Sequence, residues 1–100
     1  MLGWLLGLFL QQAAPIETPR QAQIIGERIA HEKFPNINYN KYRIFVADGD
    51  NKPHIMGGLW CVYYALVNEN GELENVLGGG GPEIHIRKKD GKIVYANLQR

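Results

Sequence analysis

The sequence predicts an α+β domain in which one N-terminal helix packs on a curved antiparallel β-sheet of about four strands. Three observations carry that expectation. A single capped stretch near the N-terminus has apolar residues at helical spacing, several later stretches alternate with period two, and turn residues rich in Gly and Asn separate them. With 100 residues, 45% of them hydrophobic and 21% charged, the chain holds one small domain of ordinary composition. A domain this short buries only about 60 to 65% of its unfolded surface, so its core is one layer on another, with little room for an enclosed catalytic cavity.

The helix start is the clearest local signal. Thr18 can cap it, Pro19 takes the first helical position, and Gln21 stands where a capping box places its second partner. Ala22, Ile25, Gly26, Ile29 and Ala30 form one stripe, while Arg20, Gln23, Glu27, Arg28, His31 and Glu32 lie largely elsewhere, so the stripe is expected to cover a sheet. Pro35 disfavours helical geometry at Phe34, and Asn36, Asn38 and Asn40 continue as turn chemistry.

From Tyr42 the period changes: Tyr42, Ile44 and Val46 alternate with Arg43, Phe45 and Ala47 as a first strand. Asp48 to Pro53 reads as a loop, and His54 to Gly58 leads into a long central strand, Leu59 to Val67. In that strand Leu59, Cys61, Tyr63, Ala65 and Val67 face one way and Trp60, Val62, Tyr64 and Leu66 the other, and both sets are apolar enough to need cover. The helix can shield only one. Asn68 to Gly71 makes a turn, Glu72 to Leu77 reads as a short extension, Gly78 to Gly81 interrupts regular structure, and a last hairpin turns at Lys88 to Gly91.

Residues 1–16 form an apolar N-terminal segment and 17–100 the domain. The run Met1 to Leu10 is too short to cross a hydrocarbon core of about 30 Å as a helix, so no integral membrane span is expected. It has the length of a signal-peptide core, with Ala13 and Ala14 placed for cleavage, although no Lys or Arg precedes it. If residues 1–14 are a signal, the protein is exported to the periplasm or envelope; otherwise the run packs on the domain and the protein is cytoplasmic.

Charge and composition exclude several classes. Eleven Lys and Arg against ten Asp and Glu leave a net charge of +1, too little to hold a phosphate backbone, so nucleic acid is not an expected partner. Cys61 has no second cysteine to pair with, and His31, His54 and His85 lack paired ligand spacing, so no metal and no cofactor are expected. Asp48, Gly49, Asp50, Asn51 is a turn rather than a calcium loop, because Leu59 stands where a bidentate Glu is needed. Cys61 with His85 or His54 as base would be a nucleophile set. Its position between Trp60 and Val62 reads instead as a small buried hydrophobe with a raised thiol pKa, and no catalytic residue is assigned. Gly78 to Gly81 precedes Pro82 and a strand, where a phosphate loop needs a helix, so the glycines read as a flexible crossing whose bare backbone can also admit a partner closely. Glu72, Glu74 and Glu83 read as a solvated edge, and Arg87, Lys88, Lys89 and Lys92 as charges that keep the last hairpin from pairing edge to edge.

The capped helix, the strand Lys41, Tyr42, Arg43, Ile44, the central Trp60, and the closing Gly79, Gly80, Gly81, Pro82, Glu83, Ile84, His85, Ile86 with Lys88 to Ile93 carry a resemblance. Over about residues 17 to 97 the chain resembles the small immunity proteins of nuclear-transport-factor-2-like fold, in a reduced, cystatin-like version. The resemblance implies a protein that neutralises a bacterial toxin by direct binding, without catalysis. It departs from the family in lacking a run of alanines in the first helix and the further helices of a full cone.

The expected function is therefore a non-enzymatic binding module with a protein partner. Its expected contact residues are Trp60 and Tyr64 as aromatic anchors, with Gly79, Gly80, Gly81, Glu83 and His85 beside them. The alternative is a small enzyme or ligand-binding domain that uses the concave sheet as a pocket, with His85 or Glu83 as its titratable group.

Overall fold

The computed structural model describes residues 14–74 and 80–99. The signal-segment expectation, residues 1–14, lies outside the described residues except for Ala14, and so do residues 75–77 of the expected short extension together with Gly78 and Gly79. Helix α1 runs Pro19–Lys33. The Thr18 hydroxyl accepts from the Gln21 N–H at 3.2 Å, and the Gln21 side-chain oxygen accepts from the N–H groups of Thr18 at 3.1 Å and Glu17 at 2.7 Å, the reciprocal box the sequence implies. The helix ends at Phe34, before Pro35. There the Tyr39 hydroxyl lies 2.8 Å from the Phe34 carbonyl oxygen and 2.9 Å from that of Ala30, which already accepts from the Phe34 N–H, so its one proton serves one of the two carbonyls at a time.

Four antiparallel strands follow in spatial order β1-β2-β3-β4: β1 Tyr42–Asp48, β2 Leu59–Leu66, β3 Pro82–Arg87 and β4 Ile93–Leu98. This is the α+β layout the sequence predicts. α1 lies on one face, where Val62, Ile84 and Ile86 are fully buried with Ala22 and Ala30 of the helix, and Trp60 and Tyr64 complete the core. Gly26 allows the close approach: a Cβ there would stand 2.6 Å from a Val62 methyl.

Three local differences from the sequence-based expectation have physical causes. The stretch between β1 and β2 is ordered rather than open loop. The Asp48 carboxylate accepts from the Asp50 N–H at 2.9 Å to start a 3₁₀ turn, Gly49–Asn51, and Pro53 then opens a one-turn helix α2, Pro53–Met56. The central strand stops at Leu66, and Val67 makes only an isolated bridge to Leu73. Finally, the domain begins before residue 17. Ile16 is 9% exposed, its N–H donates to the Lys88 carbonyl at 2.7 Å, and its own carbonyl accepts from the Trp60 indole at 2.8 Å. A buried indole N–H needs an acceptor, and the chain just ahead of α1 supplies it.

Candidate functional site on the open face of the sheet

Antiparallel pairing places directly opposed residues on one face. Two rungs therefore cross all four strands on the side away from α1: Phe45, Tyr63, Glu83, Asn97, and next to it Ala47, Cys61, His85, Tyr95. Among the described residues no helix is laid across this face. The rings stack along it, Phe45 on Tyr63 at 5.5 Å between centroids and His85 on Tyr95 at 4.6 Å. After Tyr95 the register shifts so that Ile86 opposes Ile93, and Val94 is skipped, which keeps Ile93 on the core side.

At the centre, His85 Nε2 and Glu83 Oε2 are 2.6 Å apart, with side chains 15% and 31% exposed. The Cys61 Sγ joins them, all three ligand-type atoms lying within 4.8 Å of one another. Burial pushes the Cys61 thiol up to about 12, and the negative charge of Glu83 adds to the rise. The arrangement has the members of a nucleophile–base–orienter set, yet both influences favour the neutral thiol, the reverse of what an activated thiolate needs. Beside Cys61, toward α2, Ala47 and Met56 help to line an open apolar recess of about 320 Å³.

At the end of the sheet where β1 stops and β2 begins, ion pairs tie the loops, with Asp48 opposite Trp60 on the α1 side. Lys88 Nζ reaches Asp48 at 2.5 Å and Asp50 at 2.6 Å, and the Asp50 carboxylate also accepts from the Gly58 N–H at 2.7 Å. The hydrogen bond from Lys88 holds both carboxyls below the usual aspartate range. Arg87 pairs with Asp90 across the last turn. Two of the four cations assigned to edge protection thus serve to tie loops, leaving Lys89 and Lys92 exposed.

The structure separates the sequence-derived contact residues. Glu83 and His85 lie on the open face. Trp60 and Tyr64 do not: at 6% and 5% exposed they are buried beneath α1 and cannot anchor a partner. Lys88 Nζ further covers the Trp60 ring, 4.5 Å from its centroid. The Tyr64 hydroxyl is buried with no hydrogen-bond partner among the described residues, and burial raises its pKa. Gly81 is buried too, its bare backbone packed inside the fold, where a Cβ would meet the Tyr64 carbonyl at 2.8 Å and the Tyr42 ring at 2.9 Å. Gly80 is exposed with a φ of +76°, so it serves a turn that side chains resist.

The aromatic residues on the open face are instead Phe45, Tyr63 and Tyr95. A signal for them existed in β3, where Pro82, Ile84 and Ile86 alternate with Glu83, His85 and Arg87, so the polar set marks the outer face. Which β2 residues oppose that set depends on the register, which the β3 alternation does not fix.

No family model, no curated protein and no solved structure matches the chain. The resemblance to immunity proteins rests on the quoted residues alone. Among the described residues no helix is long and apolar enough to cross a membrane.

Proposed function

We propose that the protein is a non-enzymatic binding module that docks a protein partner on the open face of its sheet, as the resemblance to toxin-neutralising immunity proteins implies. One observation supports this most: the two rungs present aromatic rings from three strands, Phe45, Tyr63 and Tyr95, around a polar centre, with charged residues Arg43 and Arg87 at the rim. Binding energy concentrates in such rigid aromatic residues when a partner excludes water from them. The partner expected is a bacterial toxin encoded beside this chain. The test is co-expression with that toxin, measuring affinity and cell survival for the wild type, Tyr63→Ala and Tyr95→Ala, with Ile24→Ala on exposed α1 as control. Losses of about tenfold or more confined to the two tyrosine variants support the reading. A wild-type protein that neither binds nor protects, or equal affinity in all variants, overturns it.

A second reading, a small ligand-binding or enzymatic domain, is favoured by the recess beside Cys61 and the hydrogen-bonded Glu83–His85 pair. Small-molecule titrations that shift NMR signals of Cys61 and Met56, and leave Phe45 and Tyr95 unmoved, would favour it over protein docking.

A further inference from the structure

The geometry points to a metal site that the sequence pattern excluded: Cys61, Glu83 and His85 form a three-ligand site for Zn²⁺, with the fourth position open to water. Cys61 and His85 are directly opposed on β2 and β3, and Glu83 stands two residues before His85 on the same strand face. Neighbouring strands therefore bring one thiol, one imidazole and one carboxylate to a point, on rigid elements rather than loops.

Tetrahedral zinc with a thiolate at about 2.3 Å and nitrogen and oxygen at about 2.0 to 2.1 Å holds its ligand atoms roughly 3.3 to 3.6 Å apart. Here they lie within 4.8 Å of one another, and the His85–Glu83 contact is 2.6 Å. Metal binding therefore requires the short contact to open and the longer separations to close by about 1 Å. The ion occupies the place of the proton His85 and Glu83 share, the imidazole proton moving to the other ring nitrogen, and the Cys61 thiol proton leaves to solvent. Mixed sulfur, nitrogen and oxygen donors suit zinc and disfavour magnesium and calcium, which want oxygen alone. Packing of His85 against Tyr95 restrains the ring orientation as ligand-supporting contacts do. Single-residue spacing rules miss such a site because its ligands meet across a strand pair rather than along a helix or a knuckle.

The site lies at the polar centre of the proposed docking face, but its metal binding is a property of this chain and is tested without a partner. Tag-free full-length protein is titrated with Co²⁺ as spectroscopic probe and with Zn²⁺ by calorimetry, alongside Cys61→Ser, Glu83→Gln and His85→Ala, and a His31→Gln/His54→Gln control. The expected result is one Co²⁺ per chain with a thiolate-to-cobalt charge-transfer band and the visible bands of a tetrahedral ion, displaced by Zn²⁺. Cys61→Ser loses the charge-transfer band, Glu83→Gln and His85→Ala bind Zn²⁺ about tenfold or more weakly, and the control binds as wild type. Far-UV circular dichroism establishes that each variant folds, and the near-isosteric Cys61→Ser and Glu83→Gln suffice if His85→Ala does not. Absence of the thiolate band in the wild type overturns the proposal. So does Zn²⁺ binding that survives Cys61→Ser and Glu83→Gln or disappears in the His31 and His54 control.

Discussion

Replacing Gly26 by Ala tests the contact on which the two layers are assembled. Mid-helix, alanine is favoured over glycine by about 1 kcal/mol, so a local view expects Gly26→Ala to stabilise. The packing says otherwise. The new Cβ would stand 2.6, 2.7 and 2.8 Å from three side-chain atoms of Val62, where ordinary contact begins at 3.4 Å, so α1 must lift by several tenths of an ångström or more. Val62 is fully buried and its branched side chain is stiff, which puts the overpacking at the upper part of the usual range of about 1 to 3 kcal/mol. The net expectation is a loss of about 1 to 2 kcal/mol, a fall in Tm of roughly 5 to 15 °C for a domain of this size. Urea denaturation followed by fluorescence of buried Trp60 measures it. Val62→Ala removes two of the three clashing atoms, so in that background Gly26→Ala should cost about 1 kcal/mol less than it does alone. A Gly26→Ala protein more stable than wild type, or strict additivity in the double variant, would refute close helix-on-strand packing.

Other substitutions probe the remaining contacts. Tyr64→Phe removes a buried hydroxyl without a partner among the described residues, so thermal and urea melts should show it neutral or more stable by up to about 1 kcal/mol; a loss larger than that would mean the hydroxyl is bonded. Asp48 and Asp50 have carboxyls held below 3.8 by Lys88, so the folded state binds protons less readily than the unfolded chain. Stability from this cluster is present above about pH 4 and falls as pH drops below it, and Lys88→Met should flatten the acid limb of a Tm-against-pH curve; an unchanged slope would remove the cluster as its cause. For Cys61, a thiol raised from 9.0 to about 12 carries about a thousandfold less thiolate near neutral pH. The higher nucleophilicity of a more basic thiolate recovers part of that, so iodoacetamide should react at least about 30-fold more slowly than with the urea-unfolded chain. Equal rates would show that the thiol pKa is not raised, and a faster rate in the folded protein would show an activated cysteine and return the catalytic reading to consideration.

What the sequence by itself determined is what neighbouring residues settle among themselves. Thr18, Pro19 and Gln21 begin α1 and Pro35 ends it, because capping and proline sterics act within a few residues. Alternation marks β1, β3 and β4 as strands, and Asp90 with Gly91, at a φ of +76°, closes the last hairpin where the turn was expected. Only the tertiary structure decided which face of β2 is inside. Both faces of β2 are apolar, and the β2–β3 connection is not a tight hairpin whose length would fix the register, so a one-residue change of pairing would exchange Trp60 and Tyr64 for Cys61 and Tyr63. The register that places Tyr64 over Ile44 and His85 over Cys61 is chosen by burial against α1, where Gly26 admits Val62 and the Ile16 carbonyl meets the Trp60 indole. The candidate site is a product of the same choice: its sulfur, nitrogen and oxygen are distant in the chain and become neighbours only when the strands pair, and pairing energies depend on partners that no local stretch of sequence contains.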